Sequence, residues 1–323
     1  MRLVTYTFRG TTRLGAVLGD RTAGDTVVDL NRACALHRAE RGERRARALA
    51  DFLVPSDMLS FLQAGEPALD AARAALAHVQ EHGRGENTDR AGLVFRLDEP
   101  GFRLEAPVVR PGKILAVGVN YKDHAAEAKM ELPAHPMIFS KVTTCVNRPG
   151  GPIHRPRVSA FLDWEGELCF VIGKHARHVP AARALEHVAG YMIGNDVSVR
   201  DWQVHSRTMM MGKGFDTHGP IGPWLVTRDE VPDPHVLDLK TWVNGVIKQD
   251  SNTRHLIFGV EALIEYLSQA FTLEPGDVVF TGTPSGVGFA RSPREFMKAG
   301  DVVRVEITGL GALENPVVEE PEA

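Results

Sequence analysis

One segment, residues 161–173 (FLDWEGELCFVIG), restricts the possible folds more than any other part of the sequence. In an extended strand, successive side chains point to opposite faces. Asp163, Glu165 and Glu167 would then share one face, and the large apolar side chains would share the other. Three like charges in a row repel one another unless positive charge offsets them. The segment therefore predicts a buried strand that presents a carboxylate cluster, and a solvated acidic edge strand is the alternative.

A second acidic signal follows the predicted strand at residues 190–195, where Asp196 begins a polar stretch. An aspartate in such a place is commonly a turn or helix-cap residue. Beside Glu165 and Glu167, however, it would complete a set of three carboxylates. Ligand sets made only of oxygen favour Mg²⁺, Mn²⁺ or Ca²⁺ over zinc, and Mg²⁺ usually keeps waters that a substrate can replace. We therefore predict a hard divalent cation at this cluster.

The composition of the 323 residues excludes several classes of protein. With 43% hydrophobic and 24% charged residues the chain is globular, and a formal net charge of -4 provides no basic surface for nucleic acid. A small anionic substrate remains compatible with this, because local charge can oppose net charge. Three separated cysteines argue against a disulfide framework or a structural zinc site, and no apolar run reaches the length of a membrane span. We expect a cytoplasmic protein with no nucleic-acid or membrane partner.

The N-terminal third of the chain predicts strands followed by helices. Residues 3–30 have the pattern of a hairpin with a third strand beside it. Over residues 31–82 the spacing becomes helical, with an interruption at which Ser56 or Asp57 would cap the second helical stretch. A polar, glycine-containing loop follows at 83–89. Because no group of chemically active residues occurs here, we expect a packing or dimerisation role.

The proline-containing segment 107–112 separates two regions of different character, so we predict an N-terminal module at residues 1–105 and a catalytic domain at residues 106–323. In the second region, Asn244-Gly245 between two β-branched runs is typical of a type I′ hairpin turn. Residues 260–270 have helical spacing. The fold class expected is α+β and strand-rich. Short β-branched runs predict strands at residues 114–119, 168–172, 224–227, 239–243, 278–281 and 302–307.

Residues 117–127 (VGVNYKDHAAE) bring a histidine and a glutamate into one short element. Asn120 is a good N-cap residue, so a helix is expected after it. His124 and Glu127 are then three residues apart on one face of that helix. A carboxylate beside an imidazole fixes its tautomer and raises its basicity, as a general base for water requires. A surface ion pair is the alternative.

Two glycine-rich segments are predicted to be loops. Residues 211–223 would present Lys213 and Asp216, but they lack the spacing of a phosphate-binding loop. A lysine near an acidic cluster could pair with a ligand or bind a substrate carboxylate. In residues 273–288 a turn and a buried strand precede glycines whose backbone N–H groups, with the Thr283 hydroxyl, could bind an anion. A tight connection that needs glycine only for its backbone angles is the alternative.

Five segments, in this order, resemble the catalytic domain of the fumarylacetoacetate hydrolase family: VGVNYKDHAAE, DWEGELCFVIGK, GYMIGNDVSVRDWQ, GKGFDTHGPIGP and TLEPGDVVFTGTPSGVG. The resemblance covers about residues 111–318. It implies a mixed β-roll catalytic domain with a small N-terminal α/β module, usually in a homodimer. It also implies that Glu165, Glu167 and Asp196 hold one Mg²⁺ or Mn²⁺ ion. Asp163 lies outside this ligand set and has no assigned role.

The resemblance implies further roles around the metal. His124 and Glu127 match the pair that activates water on a mobile lid helix in the acylpyruvase-like branch of the family. Lys213 matches a lysine beside the metal, and is expected to stabilise developing charge. Gln203 and Thr283 match positions that hold the oxo-acid end of the substrate.

The sequence thus favours an enzyme that hydrolyses a C–C bond in a 2,4-dioxo acid, an acylpyruvate such as fumarylpyruvate or maleylpyruvate, in the breakdown of aromatic compounds. Decarboxylation or isomerisation of an oxo diacid of the 2-hydroxyhepta-2,4-diene-1,7-dioate type is the nearest alternative, because both reactions pass through an enolate. A non-catalytic metal-binding scaffold is disfavoured because it would not need His124, Glu127 and Lys213. A nucleotide-dependent oxidoreductase lacks its phosphate-loop fingerprint.

Overall fold

Three antiparallel strands and a set of helices form the N-terminal part, as the sequence predicts. The structure is a computed structural model and describes residues 1–19, 25–82, 92–127 and 129–322. The N-terminal elements are, in order, β1 (Arg2–Phe8), β2 (Thr11–Leu18), β3 (Thr26–Asp29), α1 (Leu30–Glu40), α2 (Ala46–Leu53), α3 (Met58–Ala64), α4 (Glu66–His82), β4 (Val94–Arg96) and β5 (Phe102–Leu104).

The predicted helical region is divided into more helices than the sequence indicated. The carboxylate of Asp57 accepts a hydrogen bond from the backbone N–H of Ser60 at 2.9 Å, which confirms the predicted cap at the start of α3. Gly42 follows α1 with a φ of 77°, and Gly65 follows α3 with a φ of 70°. Glycine adopts this left-handed conformation at no steric cost, so each glycine ends a helix. The loop predicted at 83–89 lies outside the described residues.

The remaining elements are mainly strands. They are β6 (Ile114–Gly118), α5 (Lys122–Glu127), β7 (Met137–Lys141), β8 (Val146–Asn147), β9 (Ile153–Arg155), β10 (Leu162–Asp163), β11 (Gly166–Ile172), α6 (Ala181–Ala184), β12 (Val188–Asn195), β13 (Ser198–Val199), α7 (Arg200–Gln203), α8 (Met210–Lys213), β14 (Gly219–Thr227), β15 (Asp238–Val243), β16 (Val246–Asn252), α9 (Val260–Ala270), β17 (Val278–Phe280), β18 (Val302–Ile307) and β19 (Gly311–Glu319). Short 3₁₀ turns connect some of them. The fold class is α+β and strand-rich, as predicted. No helix in the described ranges is both long and apolar enough to cross a membrane.

One large mixed sheet runs through the molecule in the order β4-β3-β2-β1-β14-β12-β11-β17-β6-β7. The strand β1 pairs with β14 through Leu3 and Leu225, so the N-terminal strands continue the sheet that carries the later strands. A second sheet has the order β16-β15-β18-β19-β9, and β10 pairs with β13. Because strands from both parts of the chain belong to this one sheet, the sheet gives no boundary near residue 105, and the division there remains a prediction.

Both faces of the large sheet are covered, which is why every residue of β11 is buried. Leu168, Phe170 and Ile172 pack in a core cluster that includes buried side chains of α9. Cys169 and Val171 pack on the opposite side, in a cluster that includes the N-terminal helices. The predicted apolar face therefore exists, and the N-terminal module supplies a second apolar layer against the other face.

The single strand predicted at residues 161–173 is interrupted. The strand β10 ends at Asp163, and β11 begins only at Gly166. The cause is a set of backbone contacts, because Asp163 accepts hydrogen bonds from the N–H groups of Trp164 and Gly288 at 2.8 and 2.7 Å. The three acidic side chains therefore do not form one row along one strand.

Two other local predictions were wrong. Asn120 does not cap a helix; its buried amide binds the backbone of Phe258 and Thr281, and α5 begins two residues later. Residues 211–223 are not one loop, because α8 ends at Lys213 and β14 begins at Gly219. Pro223 of β14 is accommodated because the pairing with β12 is irregular there, and a proline cannot donate to a ladder.

The type I′ turn and the single long helix of the second region are confirmed. Asn244 and Gly245 both have positive φ, at 52° and 75°, and they connect β15 to β16. The helix α9 has the predicted bounds, and Leu263, Ile264 and Leu267 are buried along one face.

Candidate active site and metal centre

Glu165, Glu167 and Asp196 lie where two antiparallel strands meet: Glu165 directly precedes β11, Glu167 is its second residue, and Asp196 directly follows β12. Gly166 of β11 pairs with Asn195 of β12, so the residues that flank these positions lie side by side. The backbone N–H of Asp196 donates to the carbonyl of Glu165 at 2.9 Å. One oxygen from each of the three carboxylates lies within 4.8 Å of the other two, and all three side chains are buried. The structure thus brings together the three residues predicted as metal ligands.

Three buried cations lie against these carboxylates. The ammonium of Lys213 is 2.7 Å from Oε2 of Glu165 and 2.9 Å from Oδ2 of Asp196. Lys141, at the end of β7, is 2.6 Å from Oδ1 of Asp196. Arg200, at the start of α7, places Nη1 2.7 Å from Oε1 of Glu165. Lys213 is therefore buried in the cluster and is not a solvated loop lysine.

The two glutamates have pKa values displaced in opposite directions. Burial alone would raise the pKa of Glu165, but Lys213 and Arg200 outweigh it and lower the pKa to about 2. Burial raises the pKa of Glu167 well above its ordinary value, and repulsion from Asp196 and Glu165 raises it further. Among the residues that the structure describes, no cationic side chain forms an ion pair with Glu167.

These properties fit a divalent metal. The donor set consists only of carboxylate oxygens, which hard cations such as Mg²⁺ and Mn²⁺ prefer. The ammonium of Lys213 contacts both Glu165 and Asp196, which shows that these carboxylates attract a positive charge. Within the described part of the chain the carboxylate of Glu167 has no such cationic partner, and a metal ion would offset its charge. Glu165, Glu167 and Asp196 can therefore hold one divalent cation.

Asp163 has its own partners and stands apart from this ligand set. Its Oδ2 is 2.8 Å from Nε of Arg200. The backbone N–H groups of Gly288 and Phe289 donate to its two carboxylate oxygens at 2.7 and 2.9 Å. Asp163 therefore fixes the guanidinium that reaches Glu165, and it also fixes the loop that follows β17.

The glycine-rich loop, residues 282–289, binds anions, and those anions are side chains of the protein itself. The N–H of Gly282 donates to Oε2 of Glu167 at 2.6 Å, and the N–H of Gly286 donates to Oε1 of Glu127 at 2.9 Å. Both glycines have positive φ, at 99° and 103°, which a residue with a side chain rarely adopts. The loop thus needs glycine for its backbone angles and also serves as an anion cradle, which the sequence had offered as alternatives.

His124 and Glu127 lie on the same face of α5, as predicted. The Nδ1 atom of His124 is 3.3 Å from Oε2 of Glu127, and the two side chains are 17% and 23% exposed. His124 shares a cavity wall with Glu165 and Lys213, so its imidazole lies beside the carboxylate cluster. A carboxylate at Nδ1 holds the proton there and leaves Nε2 as the acceptor.

Gln203 and Thr283 line the same cavity, but their polar atoms already have partners. The carboxamide oxygen of Gln203 accepts from Nη1 of Arg200 at 3.0 Å. The hydroxyl of Thr283 donates to the carbonyl of Gly166 at 3.0 Å and accepts from Nε2 of Gln249 at 2.7 Å. Direct contact of these two groups with a substrate remains a prediction.

The cavity has a volume of about 80 Å³ and combines one imidazole with two cationic side chains. Its lining consists of Val117, Gly118, Val119, His124, Met137, Phe139, Glu165, Arg200, Gln203, Met209, Lys213 and Thr283.

The sequence reasoning missed three residues of the site. Arg200 could have been found, because it lies between Asp196 and Gln203 within one of the recognised motifs. Lys141 gave a weaker signal, a single lysine at the end of an apolar strand. Gln249 gave no sequence signal, because it lies in β16, far along the chain from the recognised motifs of the acidic cluster.

Comparison with known proteins places this architecture in a family. The family model for the fumarylacetoacetate (FAA) hydrolase C-terminal region matches residues 113–318. The chain is 41% identical over 308 residues to the oxaloacetate tautomerase fahd2, mitochondrial, of Xenopus laevis, covering 95% of this chain and 86% of that protein. This chain belongs to the fumarylacetoacetate hydrolase family.

Two solved structures are similar over almost the whole chain. The 5-carboxymethyl-2-hydroxymuconate delta-isomerase from Mycobacterium smegmatis has a TM-score of 0.72 at 32% identity, and the alignment covers 99% of this chain and 100% of that one. The maleylpyruvate hydrolase from Sphingobium sp. SYK-6 has a TM-score of 0.72 at 30% identity, with the same coverage. The three names describe three different reactions, so the family defines an enzyme class without selecting the reaction.

Proposed function

We propose that this protein is a divalent-metal-dependent enzyme that interconverts the keto and enol forms of a small 2-oxo dicarboxylate of the oxaloacetate type. The observation that carries the proposal is the cavity in which His124 lies beside Glu165, Lys213 and Arg200. An imidazole suits proton transfer at neutral pH, and two cations suit a dicarboxylate. The identity of 41% with an oxaloacetate tautomerase supports the choice of this reaction.

In this reaction one proton leaves C3 of the substrate and one is gained by the oxygen on C2, so no atom is added or lost. His124 accepts the C3 proton at Nε2, because Glu127 holds the proton on Nδ1. Lys213 and Arg200 stabilise the negative charge that develops on the oxygen. A divalent cation held by Glu165, Glu167 and Asp196 would act as a Lewis acid and increase the acidity of C3.

The experiment follows the ultraviolet absorbance of the oxaloacetate enol as it converts to the keto form, with Mn²⁺ or Mg²⁺ and with chelator. We expect metal-dependent acceleration, and a loss of about 100-fold or more in His124→Gln, as general-base catalysis implies. His175→Gln, an exposed histidine, is the matched control. Full activity of His124→Gln with metal still bound would show that His124 is not the base.

Hydrolysis of an acylpyruvate is the second candidate. The same His124–Glu127 pair would take a proton from water, which then attacks the distal carbonyl and releases pyruvate. The similarity to a maleylpyruvate hydrolase supports this reading. Loss of the enol band of an acylpyruvate, with stoichiometric pyruvate formation, would select it over tautomerisation. Isomerisation or decarboxylation of an oxo diacid remains a third reaction of the same site, and its substrates belong in the same panel.

We also propose a homodimer in the cytoplasm and a site that accepts either Mg²⁺ or Mn²⁺. Light scattering after size-exclusion chromatography tests the oligomeric state. Calorimetric titration of metal-free protein with each ion tests the preference, because both ions accept the same oxygen ligands.

A further inference from the structure

The helix α5 carries the proposed base, and its own hydrogen bonds are too few to hold it in place. It has six residues, and a helix this short is not stable alone in water. Val119, three residues before the helix, has a φ of 52°, which is unfavourable for a β-branched side chain. Lys129, after it, also has a positive φ of 53°. Contacts with the rest of the protein therefore decide where His124 lies.

The N-terminal end of this segment is anchored by Asn120. Its side-chain oxygen accepts from the N–H of Phe258 at 2.8 Å, and its amide donates to the carbonyls of Phe258 and Thr281 at 3.0 and 2.7 Å. The side chain is fully buried. These bonds fix the point at which the chain enters the helix, but they do not fix the direction of the helix beyond it.

Asp123, the neighbour of His124, supplies a second attachment. Its Oδ2 accepts from the hydroxyl of Ser251 at 3.1 Å and from the hydroxyl of Ser285 at 3.2 Å. Ser251 belongs to β16, and Ser285 belongs to the glycine-rich loop. One carboxylate oxygen thus joins α5 to two separate walls of the site.

We propose that Asp123 is a positioning residue, which holds α5 over the carboxylate cluster and so sets the place of His124. The attachment is partly buried and consists of two neutral hydroxyl donors on one oxygen. Glu127 contacts the same loop through Gly286, but it also contacts His124 itself. The other oxygen of Asp123, Oδ1, accepts from the backbone N–H of His124 at 2.8 Å, so this carboxylate contacts the main chain of His124 and can be changed without removing the partner of the imidazole.

The first test is hydrogen–deuterium exchange of residues 120–127 in the full chain with Mn²⁺ bound, which needs no substrate. We expect exchange in Asp123→Ala to be faster by about tenfold or more, because three hydrogen bonds to a charged acceptor are lost, from Ser251, Ser285 and the backbone of His124. Asp123→Asn keeps an acceptor oxygen and should recover most of the protection. Lys122→Ala, an exposed change on the same helix, should leave exchange as in the wild type. Unchanged exchange in Asp123→Ala would overturn the proposal.

The second test rests on the proposed function and measures kcat and KM separately. We expect kcat to fall about tenfold in Asp123→Ala with metal affinity unchanged, and to return largely in Asp123→Asn. Ser285→Ala provides a milder break of the same contact if Asp123→Ala folds poorly. Faster exchange with an unaltered kcat would overturn the positioning role. A wild-type protein without turnover would overturn the proposed reaction instead, and the exchange result would still judge the attachment.

Discussion

Lys141 and Asp196 form an ion pair that is removed from solvent, with Nζ 2.6 Å from Oδ1 and side-chain exposures of 0% and 1%. Burial by itself lowers the pKa of Lys141, but the charge and hydrogen bond of Asp196, together with other nearby groups such as Glu165, outweigh burial and keep the pKa above its ordinary value. The same ammonium donates to the backbone carbonyl of Lys213. A single lysine therefore compensates one predicted metal ligand and also holds the end of α8, which carries the second lysine of the site.

We expect Lys141→Met to lower the free energy of unfolding by about 3–5 kcal/mol, because it leaves the buried carboxylate of Asp196 without its closest partner. Denaturant unfolding of the metal-free protein measures the change. Lys240→Met is the control, since Lys240 pairs with Asp250 at the surface and exposed pairs contribute little. Equal stability of Lys141→Met and the wild type would contradict the role given to this pair.

Glu167 makes the metal-free protein sensitive to pH. Its pKa in the folded protein is raised above the ordinary value of 4.5, chiefly by burial, so the folded state retains a proton that the unfolded state releases. Stability should therefore fall as the pH rises above about 4.5, until the folded-state pKa of Glu167 is passed. Thermal unfolding in the presence of chelator, at mildly acidic and at neutral pH, measures this loss of stability.

The variant Glu167→Gln should remove that pH dependence and be more stable than the wild type at neutral pH without metal. It should also lose most of the stabilisation that Mn²⁺ gives the wild type, because one of the three oxygen ligands is no longer charged. Asp250→Asn, at an exposed position, serves as the control. A Glu167→Gln protein that Mn²⁺ stabilises as much as the wild type would show that Glu167 is not a ligand.

We expect that lysine cannot replace Arg200 in catalysis. Its Nε contacts Asp163, and its Nη1 contacts both Glu165 and Gln203. A lysine has one compact ammonium and cannot span these partners. We expect Arg200→Lys to lower kcat/KM by about 100-fold, the size of effect that follows loss of one charge-stabilising donor. Arg254→Lys, at an exposed site, should keep wild-type kinetics, and a similar result for Arg200→Lys would refute the prediction.

Asp163 allows a test of where the ligand set ends. Asp163→Asn should destabilise the protein by about 3–5 kcal/mol, because it removes the buried partner of Arg200 and places an amide near backbone N–H donors. The number of Mn²⁺ ions bound per chain, measured by calorimetry below the unfolding temperature, should not change. Loss of metal binding in a folded Asp163→Asn protein would place this residue among the ligands.

The sequence alone located the elements whose signals are local. The bounds of α9 and the turn at Asn244-Gly245 could be predicted because periodicity and backbone preference act over a few residues. The acidic residues of the site were recognised for the same reason, since Glu165 and Glu167 lie in one short segment. The pairing of β11 with β12 then brings Asp196 beside them.

Among the cations of the site, Lys213 was predicted through the family resemblance and Arg200 lies within a recognised motif, but the burial of these side chains could not be predicted from the sequence. Lys141, Arg200 and Lys213 lie on three different elements, and nothing near each of them in the sequence shows that it is buried. Their burial results from long-range pairing to carboxylates. For the same reason Asn120 was misread as a cap, because its true partners, Phe258 and Thr281, are more than a hundred residues away.

The glycine-rich loop at residues 282–289 holds Glu167, Glu127 and Asp163 by main-chain N–H groups. Main-chain contacts depend on the number of residues in the loop more than on their side chains. Side chains matter here as well, because Gly282 and Gly286 have positive φ, an added Cβ at Gly288 would meet the carbonyl of Glu295, and the hydroxyls of Thr283 and Ser285 form hydrogen bonds. Insertion or deletion of one residue would shift several donors at once, so selection should preserve the length of this loop as well as its composition.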